Sequence, residues 1–198
     1  WALMNAHWPG PLTLILPRRA HVATGSAAGQ ASIGLRCPSH PVAQALLRAA
    51  RDLGVHGVAG PSANRFGRVS PTHSRHVVAE FGPGLDVLDG GACEVGIEST
   101  IVDCTRAEPV LLRPGMLGVD TLSATIGREI LTPERAQTAL RQASPKASGT
   151  LASHYAPNAR LRLLTSEEIE ATAQALTPDQ RRRVGVWSPG RPGAAGDA

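Results

Sequence analysis

Two arginines in this sequence each close an apolar run of the kind that forms a β-strand. Arg36 ends the run that begins at Ser32, and Arg113 follows Val110–Leu112 and precedes Pro114 and Gly115. Open α/β sheets gather their ligands at the carboxyl ends of strands. A guanidinium placed there can clamp a carboxylate or a phosphate through paired N–H bonds. A surface salt bridge is the plainer role for either residue. Three short polar stretches add hydroxyl and amide groups: Gly60–Asn64 (with Ser62 and Asn64), Ser70–Thr72 and Glu98–Thr100. Small residues around Ser62 and Asn64 would let a backbone approach a ligand closely, holding an anion without a dedicated phosphate loop. An ordinary polar turn explains the same residues. Ser70–Thr72 reads either as a helix N-terminus that attracts anions or as plain helix capping.

Other chemistries lack their signatures. There is no G-x-x-x-x-G-K-[ST], no G-x-G-x-x-G after a strand and no G-x-S-x-G elbow. The seven histidines show no HxxxH or HExxH grouping. His73 and His76 are spaced to share a helix face, but no carboxylate or thiolate accompanies them, so no metal site built from protein side chains is expected. Cys37, Cys93 and Cys104 form no CxxC pair and are odd in number. They read as reduced thiols, and a cytoplasmic location is expected.

The elements that must carry these loops alternate. Trp1 to His7 is the tail of a helix, and Trp8–Pro11 is a rigid turn. Leu12–Leu16 and Ser32–Cys37 are predicted strands. Apolar residues at Val42, Ala45, Leu46, Ala49 and Leu53 predict a helix over Pro41–Leu53, with Gly54 ending it. Val55–Ala59 is a predicted strand, and Thr72 is expected to cap a helix reaching Phe81. Asp86–Leu88, Ser99–Asp103 and Val110–Leu112 are further strands, followed by helices at Leu122–Ile126 and Pro133–Arg141. Ser144–Gly149 reads as a linker. Beyond it come a strand at Arg160–Leu164, a helix at Ser166–Leu176 and a strand at Arg183–Trp187. Some strands follow one another through short turns, so a twisted, mixed α/β sheet fits better than a parallel one.

The chain has 198 residues, enough for one domain and part of another. Hydrophobic residues at 42% with charged residues at 18% exclude a disordered chain. The net charge of +4 suits an anionic partner, a nucleotide or RNA, and equally suits a basic surface without one. No run is apolar enough to span a membrane. The chain opens at Trp1, without Met, inside an amphipathic segment, and is expected to be a fragment of a longer protein.

Taken in order, Trp8–Leu14, Arg36–Pro38, Pro61–Asn64, Ser70–Thr72, Asp89–Gly91, Gly96–Ile101 and Leu112–Gly115 resemble the YrdC family of L-threonylcarbamoyladenylate synthases. His154–Pro157 resembles the linker of its longer, two-domain members. The resemblance covers residues 1 to about 160. It implies a YrdC-like catalytic domain over 1–143, an interdomain linker over 144–158 and the start of a small Rossmann-like domain over 159–198. It also implies an enzyme that joins L-threonine, bicarbonate and ATP with Mg²⁺, and no organic cofactor. Pyrophosphate would leave, and the product would pass to downstream proteins that modify tRNA. The basic balance permits direct tRNA contact.

By the same resemblance Arg36, Gly60 and Ser99 face L-threonine. Ser32, Ser62, Asn64, Ser70 and Arg113 contact ATP, and Tyr155 folds over it from the linker. Family members often carry Thr at the position of Ser32 and Ala at that of Gly60, both conservative for a hydroxyl or a backbone contact. They also carry an upstream Lys-x-Arg segment and a Thr-rich loop that this chain lacks, so the 198 residues alone are expected to be inactive. Two alternatives stand beside this reading. One is a YrdC-like carbamoyltransferase of hydrogenase maturation. The other is a non-catalytic RNA-binding module, against which the lack of an aromatic stacking platform speaks.

Overall fold

The structure is a computed structural model that describes residues 1–140, 157 and 159–187. Its centre is a four-stranded sheet in the order β2-β1-β3-β4. The strands are β1 (Leu12–Pro17), β2 (Ser32–Leu35), β3 (Thr100–Asp103) and β4 (Val110–Arg113). β1 runs antiparallel to β2 and parallel to β3, and β3 runs antiparallel to β4. The sheet is therefore mixed, as the spacing of the runs implies. β3 lies between two neighbours and is buried along its whole length, including the polar Thr100 and Asp103 at its ends.

Alternation along the strands sends side chains to two cores. Leu12, Leu14 and Val102 pack on one face with Leu3 of α1 (Ala2–His7), Leu122 of α4 (Val119–Ile126) and Ile130. Ile15, Ile101, Val110 and Leu112 pack on the other with Ala136 of α5 (Pro133–Leu140). Two more helices, α2 (Pro41–Asp52) and α3 (Ser74–Phe81), lie between β2 and β3 in the chain. α2 starts on Pro41, whose fixed φ suits a first turn, and stops where Gly54 takes φ +81°. It buries none of its residues, although its apolar positions recur at helical spacing.

Four predicted strands do not form. Residues 55–59, 86–88, 160–164 and 183–187 contribute no ladder. A strand needs a neighbour to pair its backbone groups, and these segments have none among the described residues. Their apolar side chains stay out: Val58 is 54% exposed and Leu163 is 100% exposed. The helix before Phe81 also differs, since its N-cap is His73 and Thr72 does not cap it.

The chain divides into two compact units, Trp1–Pro157 and Asn158–Ala198. Within the second, α6 (Ser166–Ala175) and α7 (Pro178–Arg181) each begin with a capping box, from Thr165 with Glu168 and from Thr177 with Gln180. These reciprocal bonds satisfy backbone donors that a helix start otherwise leaves open. The Ser144–Gly149 linker and Tyr155 lie outside the described residues.

Candidate functional site

The Trp8–Pro11 turn ties three strands together. Trp8 Nε1 donates to the Leu12 carbonyl at 2.8 Å. The Pro11 carbonyl accepts from the Thr100 N–H at 3.0 Å, and the Gly10 N–H donates to the Cys37 carbonyl at 2.8 Å. The Gly10 carbonyl then accepts from Arg36 Nε at 3.0 Å. One turn thus joins the start of β1 to the start of β3 and to the residue just past β2, and it fixes the direction of the Arg36 guanidinium.

Arg113, at the end of β4, reaches the same region from the other side. Its Nε donates to the Ser99 carbonyl at 3.0 Å and its Nη2 to Ser99 Oγ at 3.1 Å. This forked grip uses the planar guanidinium geometry that lysine lacks. Ser99 is buried, and its hydroxyl also lies 2.8 Å from Thr13 Oγ1 on β1. Next to it, Glu98 accepts a 2.8 Å hydrogen bond from the Ser70 hydroxyl. Ser70 therefore faces a carboxylate beside Ser99, and not the helix N–H groups that a capping role would require.

Gly115 makes the close approach behind Arg113. A Cβ there would stand 2.5 Å from the Thr100 nitrogen and 2.7 Å from the Glu98 carbonyl oxygen. Neither backbone atom can yield, so only glycine lets the loop after β4 lie against the start of β3. Thr100 completes the seam, since its hydroxyl donates to the Leu117 carbonyl at 3.0 Å and accepts from the Leu117 N–H at 3.1 Å.

The charge of Arg113 reaches Arg36. Partial burial, and then the like charge of Arg113, hold the Arg36 pKa below its ordinary value. Arginine remains charged in proteins, so the rim carries two cations at close quarters. An anion entering between them is drawn by both, and carboxylate and phosphate are the groups that guanidinium forks match best.

Ser32 opens β2 and shares with Gly34 and Arg36 the strand face that looks toward Thr13 and Ile15. A Cβ on Gly34 would stand 3.2 Å from Ile15 Cδ1 and 3.6 Å from Thr13 Cγ2, so glycine keeps this face open between Ser32 and Arg36. The structure thus binds Arg113 to Ser99, sets Ser70 on the adjacent Glu98 and puts Ser32 on the same strand face as Arg36.

Gly60 and Ser62 are exposed in the loop between α2 and α3. Asn64 serves its own turn, with Nδ2 donating to the Arg65 and Arg68 carbonyls, both at 3.0 Å. Its buried Oδ1 has no hydrogen-bond partner. A cavity of about 330 Å³ lies beside this loop, between Ala63, Pro71–Ser74 and Leu85–Gly91. Arg36, Ser99 and Arg113 do not line it, and the charge of the rim marks the site better than this hollow does. Among the described residues no group of three or more His, Cys, Asp or Glu could hold a metal ion. No helix there is long and apolar enough to cross a membrane.

Thr13 was absent from the residues singled out by sequence. Its one signal is a hydroxyl in the otherwise apolar run Leu12–Leu16, which needs a partner once the strand is buried.

Known proteins resemble this chain over most of its length. The family model of the Sua5, YciO and YrdC proteins, described as telomere recombination, matches residues 1–115. A model of the C-terminal domain of threonylcarbamoyl-AMP synthase matches residues 118–195. The chain is 37% identical over 160 residues to the threonylcarbamoyl-AMP synthase of Pyrococcus abyssi, covering 80% of this chain and 45% of the relative. It is 37% identical over 190 residues to that of Bacillus subtilis, covering 93% of this chain and 52% of the relative. Among solved structures, P. abyssi Sua5 complexed with L-threonine matches with a TM-score of 0.71 and 30% identity, over 94% of this chain and 56% of the other. The chain spans about half the length of the curated relatives it matches. With a mixed sheet, an ordered series of polar loops and a family match over more than half of its residues, this chain belongs to the Sua5/YciO/YrdC family.

Proposed function

We propose that this chain is the part of an L-threonylcarbamoyladenylate synthase that grips L-threonine beside ATP. The observation that carries the reading is the rim itself, where Arg113 grips the buried Ser99 and its charge reaches Arg36. The names of the relatives and the L-threonine complex of the P. abyssi protein support it.

In this reading Arg36 holds the L-threonine carboxylate, with Ser99 and the main chain at Gly60 alongside. Arg113, Ser32, Ser62, Asn64 and Ser70 face the nucleotide, and Tyr155 closes over it. The free amine of L-threonine attacks bicarbonate, giving a carbamate and water. A carbamate oxygen then bonds to the α-phosphorus of ATP as the bond to pyrophosphate breaks. Such a transfer needs alignment and charge neutralisation more than a side-chain nucleophile. The arginines supply the positive charge against the phosphates. Mg²⁺ would arrive with the triphosphate and supply further positive charge against it.

Residues 1–143 form the catalytic domain, 144–158 the linker, and 159–198 the start of a Rossmann-like domain. The product serves tRNA threonylcarbamoyladenosine synthesis in the cytoplasm, through downstream modifying proteins.

The test is direct. The full-length protein is incubated with ATP, L-threonine, bicarbonate and Mg²⁺. Pyrophosphate release that depends on both L-threonine and bicarbonate is expected, with threonylcarbamoyl-AMP as the co-product. Pyrophosphate release without either one, or none at all, overturns the reading.

A further inference from the structure

We propose that Thr13 is a positioning residue: it holds the Ser99 hydroxyl as a double acceptor and so turns the single Ser99 proton toward the anionic ligand of the rim. This rests on the functional reading above. Ser99 Oγ has one proton and two lone pairs. Arg113 Nη2, at 3.1 Å, can only donate and so occupies one lone pair. The other close neighbour is Thr13 Oγ1 at 2.8 Å, where either hydroxyl could donate.

If Ser99 donates to Thr13, its proton is spent inside the protein and its remaining lone pair faces the ligand, which repels an anion. If Thr13 donates, both lone pairs are filled and the Ser99 proton is left for a carboxylate or carbamate oxygen. A bound anion favours the second arrangement.

The strands hold Thr13 in place for this task. Ser99 immediately precedes β3, whose Thr100 pairs with Leu12 and whose Ile101 pairs with Thr13. The Thr13 methyl points to the other neighbour, since Cγ2 lies 3.6 Å from where a Cβ on Gly34 of β2 would be. The branched side chain is therefore divided between two strands, methyl toward β2 and hydroxyl toward Ser99, and a β-branched residue has few other rotamers to adopt.

The experiment compares Thr13→Val, Thr13→Ser and Ser99→Ala in the full-length protein, together with the double variant Thr13→Val/Ser99→Ala. Pyrophosphate release gives KM for L-threonine and for ATP separately, and circular dichroism checks folding. Thr13→Val is expected to raise the L-threonine KM about tenfold, the scale of one hydrogen bond to a charged group, with the ATP KM little changed. Thr13→Ser restores it, because the hydroxyl is kept. The double variant is no worse than Ser99→Ala alone, because the two residues act as one unit.

An unchanged L-threonine KM in Thr13→Val, a failure of Thr13→Ser to restore it, or effects that add in the double variant would each overturn the proposal while the functional reading stands. A wild-type protein that releases no pyrophosphate overturns both. Should valine at 13 not fold, Thr13→Cys, a weaker donor, replaces it with the same expected direction.

Discussion

Arg36 and Arg113 are alike in type and in place, each at a strand's end, yet their surroundings differ. Arg36 hangs from the Gly10 carbonyl by Nε alone. Arg113 grips Ser99 at two atoms and is half-buried. Removing Arg36 leaves the turn and the sheet intact, so Arg36→Ala is expected to weaken L-threonine use at least tenfold, the lower range for a lost charged hydrogen bond, with an unchanged melting temperature. Arg113→Ala also removes the two bonds it gives Ser99, leaving the hydroxyl to Thr13. It is expected to weaken ATP use and also to cost stability, about 1–3 kcal/mol for buried polar groups that lose a hydrogen bond. Steady-state kinetics paired with thermal unfolding separates the two, and equal melting-temperature losses in both variants would contradict this asymmetry. Both arginines were legible as candidates from the runs they close. That they share a rim was not, because 76 positions of sequence lie between Arg36 and Arg113 and only the strand order brings them together.

α4 and α2 show the same helical pattern with different outcomes. Leu122 of α4 is fully buried against Leu3, Leu12 and Ile130. Leu46 of α2 is 48% exposed. Leu122→Ala should cost about 2–5 kcal/mol, the range for emptying a close-packed site, whereas Leu46→Ala should cost under about 1 kcal/mol. Denaturant unfolding of the two variants measures both values, and a similar cost for each would mean that Leu46 is covered in solution.

At the start of α6, Glu168 accepts from the Thr165 backbone N–H, and this bond, with that to the Thr165 hydroxyl, lowers its pKa. A lowered folded-state pKa means that the ionised form supports the cap. That support is complete above the ordinary glutamate range and is lost as pH falls through the folded value. Amide NMR shifts of Thr165 and Glu168 should follow one titration below the ordinary range, and Thr165→Ala should raise its midpoint. Capping depends on neighbouring residues, and the helix at Ser166–Leu176 was expected from sequence while its Thr165 cap was not. Strands are not local: Val55–Ala59 finds no strand to pair with among the described residues, which is why that prediction failed while Leu12–Leu16 held.

Among the described residues, both core clusters fall between Leu3 and Ala136, inside the first compact unit. A chain ending at Pro157 should therefore unfold as cooperatively as the complete one, with its sheet signal in circular dichroism retained. A broad, non-cooperative transition would mean that the second unit contributes to the first unit's core. The sequence by itself determined the residue types of the loops, the apolar runs from which strands could form and the family, since periodicity, turn residues and short motifs are written in neighbouring positions. Only the tertiary structure decided which runs became strands and which hydroxyls meet the arginines. Pairing and charge proximity depend on distance in space, and the parallel β1–β3 contact that brings Thr13 to Ser99 spans 86 positions of chain.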